Sequence, residues 1–333
     1  MREVPATVAH DPTLPSVTID GITFHAEGHG HPDAPTVIVV HGGPGGDYRN
    51  LEVLARLADR YHVVFYDQRG TGLSPRVPAE ELTLESSLAD LHRIVVHYGA
   101  GEPVALIGHS WGGMLGAYYL ARHPDHVARA VLAEPGVLTT EELRAFAAQM
   151  QPERGWRTLT TVAGAWLEST HVAGPDPHAA SDYLVQRVME APEGNPLSAY
   201  WCGGVPPAAA TEVWRVGSTA MQAILGSAAG EDGLLHLPLL DASRYTGEVL
   251  LIASACNTVI GVERQKAHTA LFPVARLAVI SHAGHLMFTD QPEASLKVIR
   301  GYLGAGPWPF SAGASGGTAA ASTTGAVEAT APR

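Results

Sequence analysis

The apolar run Val104-Ala105-Leu106-Ile107 leads directly into Gly108-His109-Ser110-Trp111-Gly112, and the residues from Trp111 to about His123 read as a helix. No other feature narrows the fold as much. A serine between two glycines at a strand-to-helix junction marks a backbone turn too sharp for neighbouring Cβ atoms. Such a turn lifts the Ser110 hydroxyl above the sheet. The helix behind it aims the positive end of its dipole at the same point. Ser110 is therefore the candidate nucleophile, and the N–H of Trp111 is a candidate donor to an oxyanion.

The rest of the chain supplies a frame for that junction. Thr36-Val37-Ile38-Val39-Val40, Val63-Val64-Phe65-Tyr66 and Ala130-Val131-Leu132-Ala133 are continuous apolar runs, as strands buried on both faces require. Val249-Leu250-Leu251-Ile252 and Leu277-Ala278-Val279-Ile280 repeat the pattern. Helical spacing between them, as in Leu84 to Tyr98, Val262 to Leu271 and Pro292 to Leu303, predicts an α/β fold with a mostly parallel, doubly wound sheet. Residues 139–243 lose the strand-like runs and read as a helical cap inserted into the core. The expected organisation is an N-terminal extension (1–16), a first core part (17–138), the cap (139–243), a second core part (244–303) and a disordered tail (304–333) poor in core-forming residues.

Two further segments carry chemistry. His41-Gly42-Gly43-Pro44-Gly45-Gly46 ends a predicted strand, and its glycines let backbone N–H groups approach a substrate oxygen. The N–H of Gly43 is the second oxyanion donor expected. A phosphate loop is excluded because no Gly-Lys-Ser/Thr follows. Ser281-His282-Ala283-Gly284-His285 follows the last predicted core strand, where the general base belongs in the chain order Ser, acid, His. Both histidines are candidates; His285, just before Leu286-Met287-Phe288, is the expected base and His282 a structural neighbour.

Composition sets the outer limits. A formal net charge of −12 argues against nucleic-acid and anionic-membrane partners. The 17 histidines show no metal-ligand spacing with Cys or Asp, so no metal and no organic cofactor are expected. Cys202 and Cys256, far apart in sequence, suggest no disulfide framework. With no apolar signal segment and no run of membrane-spanning length, a cytoplasmic protein is the expectation. Oligomeric state leaves no mark.

HGGPGG, then Asp67-Gln68-Arg69-Gly70-Thr71-Gly72-Leu73-Ser74, then GHSWGG together resemble the proline iminopeptidase family of α/β hydrolases. The resemblance covers about Val17 to Leu138 and Gly247 to Leu303. It implies an α/β-hydrolase fold, removal of an N-terminal residue from small peptides, and a structural role for Asp67 and Arg69. It also implies an acid after the next-to-last strand in a Gly-x-x-Asp pattern, where this chain has Ser254-Ala255-Cys256-Asn257. Asn257 thus stands at the acid's place without its charge. Glu134, in Leu132-Ala133-Glu134-Pro135-Gly136, resembles the alternative acid position of some haloalkane dehalogenases and lipases. The expectation is a relocated triad, Ser110-His285-Glu134, with Asn257 as a secondary hydrogen-bond partner; the other reading makes Glu134 an ordinary strand-end carboxylate.

The family's cap carries carboxylates for the substrate amine, often in a Trp-x-x-Trp-Glu stretch absent here. Glu168 and Trp166, in Ala165-Trp166-Leu167-Glu168, are the nearest candidates for substrate binding, with Trp214 beside them and Glu212 and Glu231 as further carboxylates. Trp156, Tyr200 and Trp201 are further aromatic candidates for a pocket lining, a role that core packing within the cap explains equally well. The expected substrate is a small peptide or amine-bearing amide. An esterase, amidase or thioesterase on the same core is the alternative, and a degenerate hydrolase that only binds a ligand is a third.

Overall fold

The computed structural model describes residues 3–149, 156–190, 196–204, 213–230, 232–305 and 327–329. A hairpin of β1 (Ser16–Ile19) and β2 (Ile22–His29) precedes β3 (Thr36–Val40), β4 (His62–Tyr66), β5 (Val104–His109), β6 (Val127–Ala133), β7 (Val249–Ser254), β8 (Ala275–Ile280) and β9 (Val327–Ala329). They form one sheet in the order β1-β2-β4-β3-β5-β6-β7-β8-β9. β1 and β2 pair antiparallel, as do β2 and β4; every other neighbour is parallel. The hairpin turns on Asp20-Gly21, both at positive φ, which matches the twist of the strands it joins.

All five residues of β3 are buried, because the sheet is covered on both sides. Ile38 and Val40 pack with α1 (Leu84–Gly99) and α2 (Trp111–Arg122). Val37 and Val39 face the other way, toward a 3₁₀ helix, Arg49–Asp59, whose Leu51, Leu54 and Leu57 recur at its own period of three. α1 starts at a reciprocal cap between Thr83 and Ser86 and buries Leu88, Leu91, Ile94 and Val95. No helix of the described residues is long and apolar enough to cross a membrane.

Between β6 and β7 lie α3 (Thr140–Gln149), α4 (Trp156–Ser169), α5 (Ala179–Met189), two short 3₁₀ turns (Pro196–Tyr200 and Cys202–Gly204) and α6 (Ser218–Gly226). The core continues with α7 (Val262–His268), α8 (Met287–Asp290) and α9 (Pro292–Leu303). A buried ion cluster pins the helical region to the core. Arg215 donates to both oxygens of Asp176 at 2.6 Å, to Asp182 at 2.7 Å and to the Pro5 carbonyl at 3.3 Å. Arg76, in the loop after β4, reaches the same Asp182 oxygen at 3.0 Å. The other Asp182 oxygen accepts from the backbone and hydroxyl of Ser218.

Two expectations need correction. Cys202 and Cys256 form a disulfide, with Cα atoms 4.9 Å apart. Their separation of 54 residues conceals this, since the helical region folds back over the loop after β7. Within the segment expected to be a disordered tail, Val327–Ala329 forms β9 and pairs with Ala278–Ile280, covering what would be a bare edge of β8. The remainder of that tail beyond Ala305 lies outside the described residues, as do Glu212 and Glu231.

Candidate active site

The parallel strands bring three loops to one end of the sheet. Ser110 stands between β5 and α2 with φ 55° and ψ −119°, a strained conformation for a residue with a side chain. The flanking glycines are required by contact. A Cβ on Gly108 would lie 2.3 Å from the Gly112 carbonyl oxygen, and one on Gly112 would lie 2.1 Å from that of Val40. Backbone bonds from Ser110 N to the Ala133 oxygen and from Met114 N to the Ser110 oxygen hold the turn.

The glycine-rich loop after β3 lies against this turn. A Cβ on Gly42 would sit 3.1 Å from that of Ser110. Among the described residues the N–H groups of Gly43 and Trp111 have no acceptor, so both are available to an oxyanion. Gln68 braces them: its side chain donates to the His41 carbonyl and accepts from the Trp111 indole, both at 2.9 Å. The Gln68 N–H also donates to His41 Nε2 at 3.0 Å, which leaves Nδ1 to donate to the Gly42 carbonyl. Burial holds His41 below the ordinary imidazole range, consistent with this neutral tautomer. Asp67 anchors the N–H groups of Tyr48 and Leu73 and the His25 ring, while Arg69 forks onto Asp90.

Glu134 and His285 meet from opposite sides of β7. Glu134 ends β6 at φ 44° and is wholly buried. Its Oε2 lies 2.7 Å from His285 Nδ1 and accepts from Asn257 Nδ2 at 2.9 Å. Its Oε1 accepts from the Ser254 N–H at 2.7 Å and from the Ser254 hydroxyl. Four donors surround one carboxylate. Asn257 is a partner of Glu134, not of the His285 ring, because its Oδ1 is engaged by the N–H groups of Val259 and Ile260. With Nδ1 donating to Glu134, the lone pair of His285 rests on Nε2.

His285 is packed between Tyr200 and His109, at centroid distances of 4.7 and 4.6 Å. Its N–H donates to the Tyr200 carbonyl and its carbonyl accepts from His109 Nε2, both at 2.8 Å. Burial, with His285 adding to it, pushes His109 down to about 3, so this ring is a neutral brace. His282 does not border the cavity; its carbonyl accepts from Gln291. The disulfide joins this frame, since Cys256 precedes Asn257 and Cys202 follows Trp201. The double substitution Cys202→Ser/Cys256→Ser is expected to cost roughly 2–4 kcal/mol, read as a lower denaturant midpoint, with a slope equal or steeper because the unlinked chain exposes more surface on unfolding. An unchanged midpoint would show that the covalent link adds nothing to the contacts around it.

A cavity of about 270 Å³ opens above Ser110 and His285. Its walls are largely apolar, with Phe146, Met189, Tyr200, Val216, Met221 and Leu286 among them. None of the three expected cap residues borders it. Glu168 faces the Tyr183 hydroxyl and Arg187 within the helical pair α4–α5, and Trp166 is largely exposed. Trp214 packs edge-on to Tyr48 and His25 while its N–H donates to Asp47. The carboxylates at the cavity are instead Glu190 and Asp47. Glu190 is engaged by Arg187 at 2.7 Å and Gln186 at 3.2 Å. Burial and the nearby Asp67 push Asp47 up to about 7, although it accepts N–H bonds from Arg49, Trp214 and Arg215. Tyr200 and Trp201, two of the aromatic candidates for a pocket lining, do border the cavity. Gln68, His109 and Ser254 carried no sequence signal of their own, apart from the position of Gln68 between Asp67 and Arg69.

The family model described as the alpha/beta hydrolase fold matches residues 35–292. The cis-3-alkyl-4-alkyloxetan-2-one decarboxylase of Xanthomonas campestris pv. campestris is 25% identical over 304 residues, covering 86% of this chain and 94% of that protein. Among solved structures, a proline iminopeptidase-related protein from Thermus thermophilus superposes with a TM-score of 0.61 at 21% identity, over 88% of this chain and 97% of that one. The proline iminopeptidase of Mycobacterium smegmatis gives 0.58 at 21%, over 87% and 97%. At these identities the structural likeness is one of fold.

Proposed function

We propose that this chain, which belongs to the α/β-hydrolase fold family, is a serine hydrolase acting by an acyl-enzyme on esters or amides with a small apolar acyl group. The observation that carries the reading is the contact between His285 Nδ1 and Glu134 Oε2 beneath a cavity that also holds Ser110. His285 Nε2 takes the Ser110 proton as the hydroxyl oxygen attacks the carbonyl carbon. The N–H groups of Gly43 and Trp111 receive the charge that forms on the carbonyl oxygen. Glu134 stabilises the imidazolium, which then protonates the leaving group. Water then attacks the acyl carbon as His285 takes its proton, and the imidazolium returns that proton to Ser110 Oγ as the carbon–oxygen bond breaks and the acid product leaves.

Apolar walls support the choice of acyl group, because they favour burial of hydrocarbon and offer few partners to a polar one. Aryl esters of short and medium acyl chains should be turned over by the intact chain and not by Ser110→Ala, and a fluorophosphonate should label only the former. Labelling and turnover that survive Ser110→Ala would overturn the nucleophile assignment.

A second reading, an aminopeptidase, rests on Glu190 at the cavity wall. Its charge is already balanced by Arg187, which makes it a weaker anchor for a substrate ammonium. Free-amine Pro- and Ala-arylamides compared with their N-acylated forms decide between the two. Preference for the free amine, with KM raised about tenfold or more by Glu190→Gln, would favour the peptidase. Turnover indifferent to Glu190→Gln would favour the apolar acyl hydrolase.

A further inference from the structure

Three imidazoles unrelated to the proposed chemistry converge on the opposite end of α2. His92 lies on α1, His123 directly follows α2, and His126 ends the 3₁₀ turn Pro124–His126. One nitrogen from each ring lies within 4.8 Å of the other two. Sequence spacing gave no warning, because the third member comes from a different element. The His92 and His123 rings stack at 4.1 Å, and His126 stands edge-on to His92 at 5.0 Å.

His92 Nδ1 lies 3.0 Å from the hydroxyl of the buried Tyr119. In the tautomer that donates to this oxygen, Nε2 is left as the ligand atom, the outer-sphere arrangement usual for metal-bound histidine. Among the described residues no hydrogen bond reaches the rings of His123 or His126. The adjoining depression is also lined by Arg93 and Arg122, whose charges are balanced by Asp20 and Asp90 and by Glu85.

We propose that His92, His123 and His126 bind one divalent transition cation of the zinc type, with water completing the coordination. A tetrahedral centre needs ligand nitrogens about 3.3 Å apart, so the stacked pair must open and the ligand atoms, now within 4.8 Å of one another, must approach by up to about 1.5 Å. Ring torsions about the Cβ–Cγ bond are broad enough for this. Nitrogen-only ligation favours zinc, nickel, cobalt or copper over magnesium or calcium. α2 separates the site from Ser110 by about 18 Å along its axis. The ion would therefore tie α1 to the end of α2 and raise stability without entering catalysis.

The test uses the full chain with its disulfide intact, stripped by chelator, in equilibrium dialysis against zinc chloride, with cobalt absorption as a second readout. One zinc per chain with a dissociation constant in the micromolar range is expected, together with a raised melting temperature. His123→Gln and His126→Gln should each weaken binding by more than tenfold and abolish the cobalt spectrum. Tyr119→Phe should weaken it roughly tenfold, and His31→Ala, at an exposed site, should leave it unchanged. Melting of the metal-free variants at the temperature of the unaltered chain shows that they are folded; if one is not, the other and the cobalt spectrum of the unaltered chain decide. Binding no tighter than millimolar, or equal binding in the unaltered chain and a folded His123→Gln or His126→Gln variant, overturns the proposal.

Discussion

Glu134→Gln is expected to lower kcat on an aryl ester by about four orders of magnitude, the scale seen when the buried acid of a serine protease becomes its amide. The geometry explains why so small a change should matter. Ser254 offers two donors to one Glu134 oxygen, while Asn257 and His285 offer one each to the other. A glutamine has one acceptor atom and one donor group for these four. With its oxygen toward Ser254, its amide nitrogen faces the Asn257 amide and His285 Nδ1. The imidazole can then accept only by moving its proton to Nε2, where it blocks removal of the serine proton. With the amide reversed, the Ser254 N–H faces another donor and loses its bond. Steady-state kinetics with the melting temperature as a fold control decides the matter. A kcat within tenfold of the unaltered chain would mean that Glu134 is an ordinary strand-end carboxylate.

Arg215→Ala is expected to cost about 3–5 kcal/mol in unfolding free energy, the usual penalty for removing one partner of a buried ion pair. Asp176 and Asp182 are almost fully buried, and Arg215 supplies three of the charge-assisted hydrogen bonds that hold them. Arg76 remains for Asp182, but nothing cationic remains on Asp176 at hydrogen-bond distance among the described residues. Urea unfolding is the measurement. A loss below about 1 kcal/mol would mean that the carboxylates are rescued by solvent, as surface pairs are.

The parts of this protein that declare themselves in sequence are those whose reason is local. Continuous apolar runs become the centres of β3 to β8 because strands covered on both faces bury side chains on either side, with polar residues such as Arg129 and Arg276 where cover is incomplete. Gly108 and Gly112 flank Ser110 because carbonyl groups stand where Cβ atoms would be. Glu134 could be singled out as a candidate acid because the chain has Asn257 at the other position. What stayed hidden depends on distant segments meeting. The disulfide, the ion cluster around Arg215 and the three-histidine group each join elements far apart in the chain. The wall of the cavity was legible only in part for the same reason: Tyr200 and Trp201 do border it, but the helices between β6 and β7 turn Trp166 outward and Glu168 toward α5 and present Met189 instead. β1 and β2 were signalled by Asp20-Gly21, a hairpin dipeptide that the alternation of buried runs overshadowed.

The disulfide and the ion cluster have a joint consequence for selectivity. Tyr200 and Trp201 on one stretch of the cavity wall adjoin Cys202, and Val213 and Val216 on another adjoin Arg215. Both stretches are therefore fastened to the core, one covalently and one by charge. A cavity held so firmly cannot widen at small cost to suit a larger guest. Over a homologous series of acyl esters, kcat/KM should rise with each methylene until the space is filled and then drop within one or two carbons, a cliff in place of a slope.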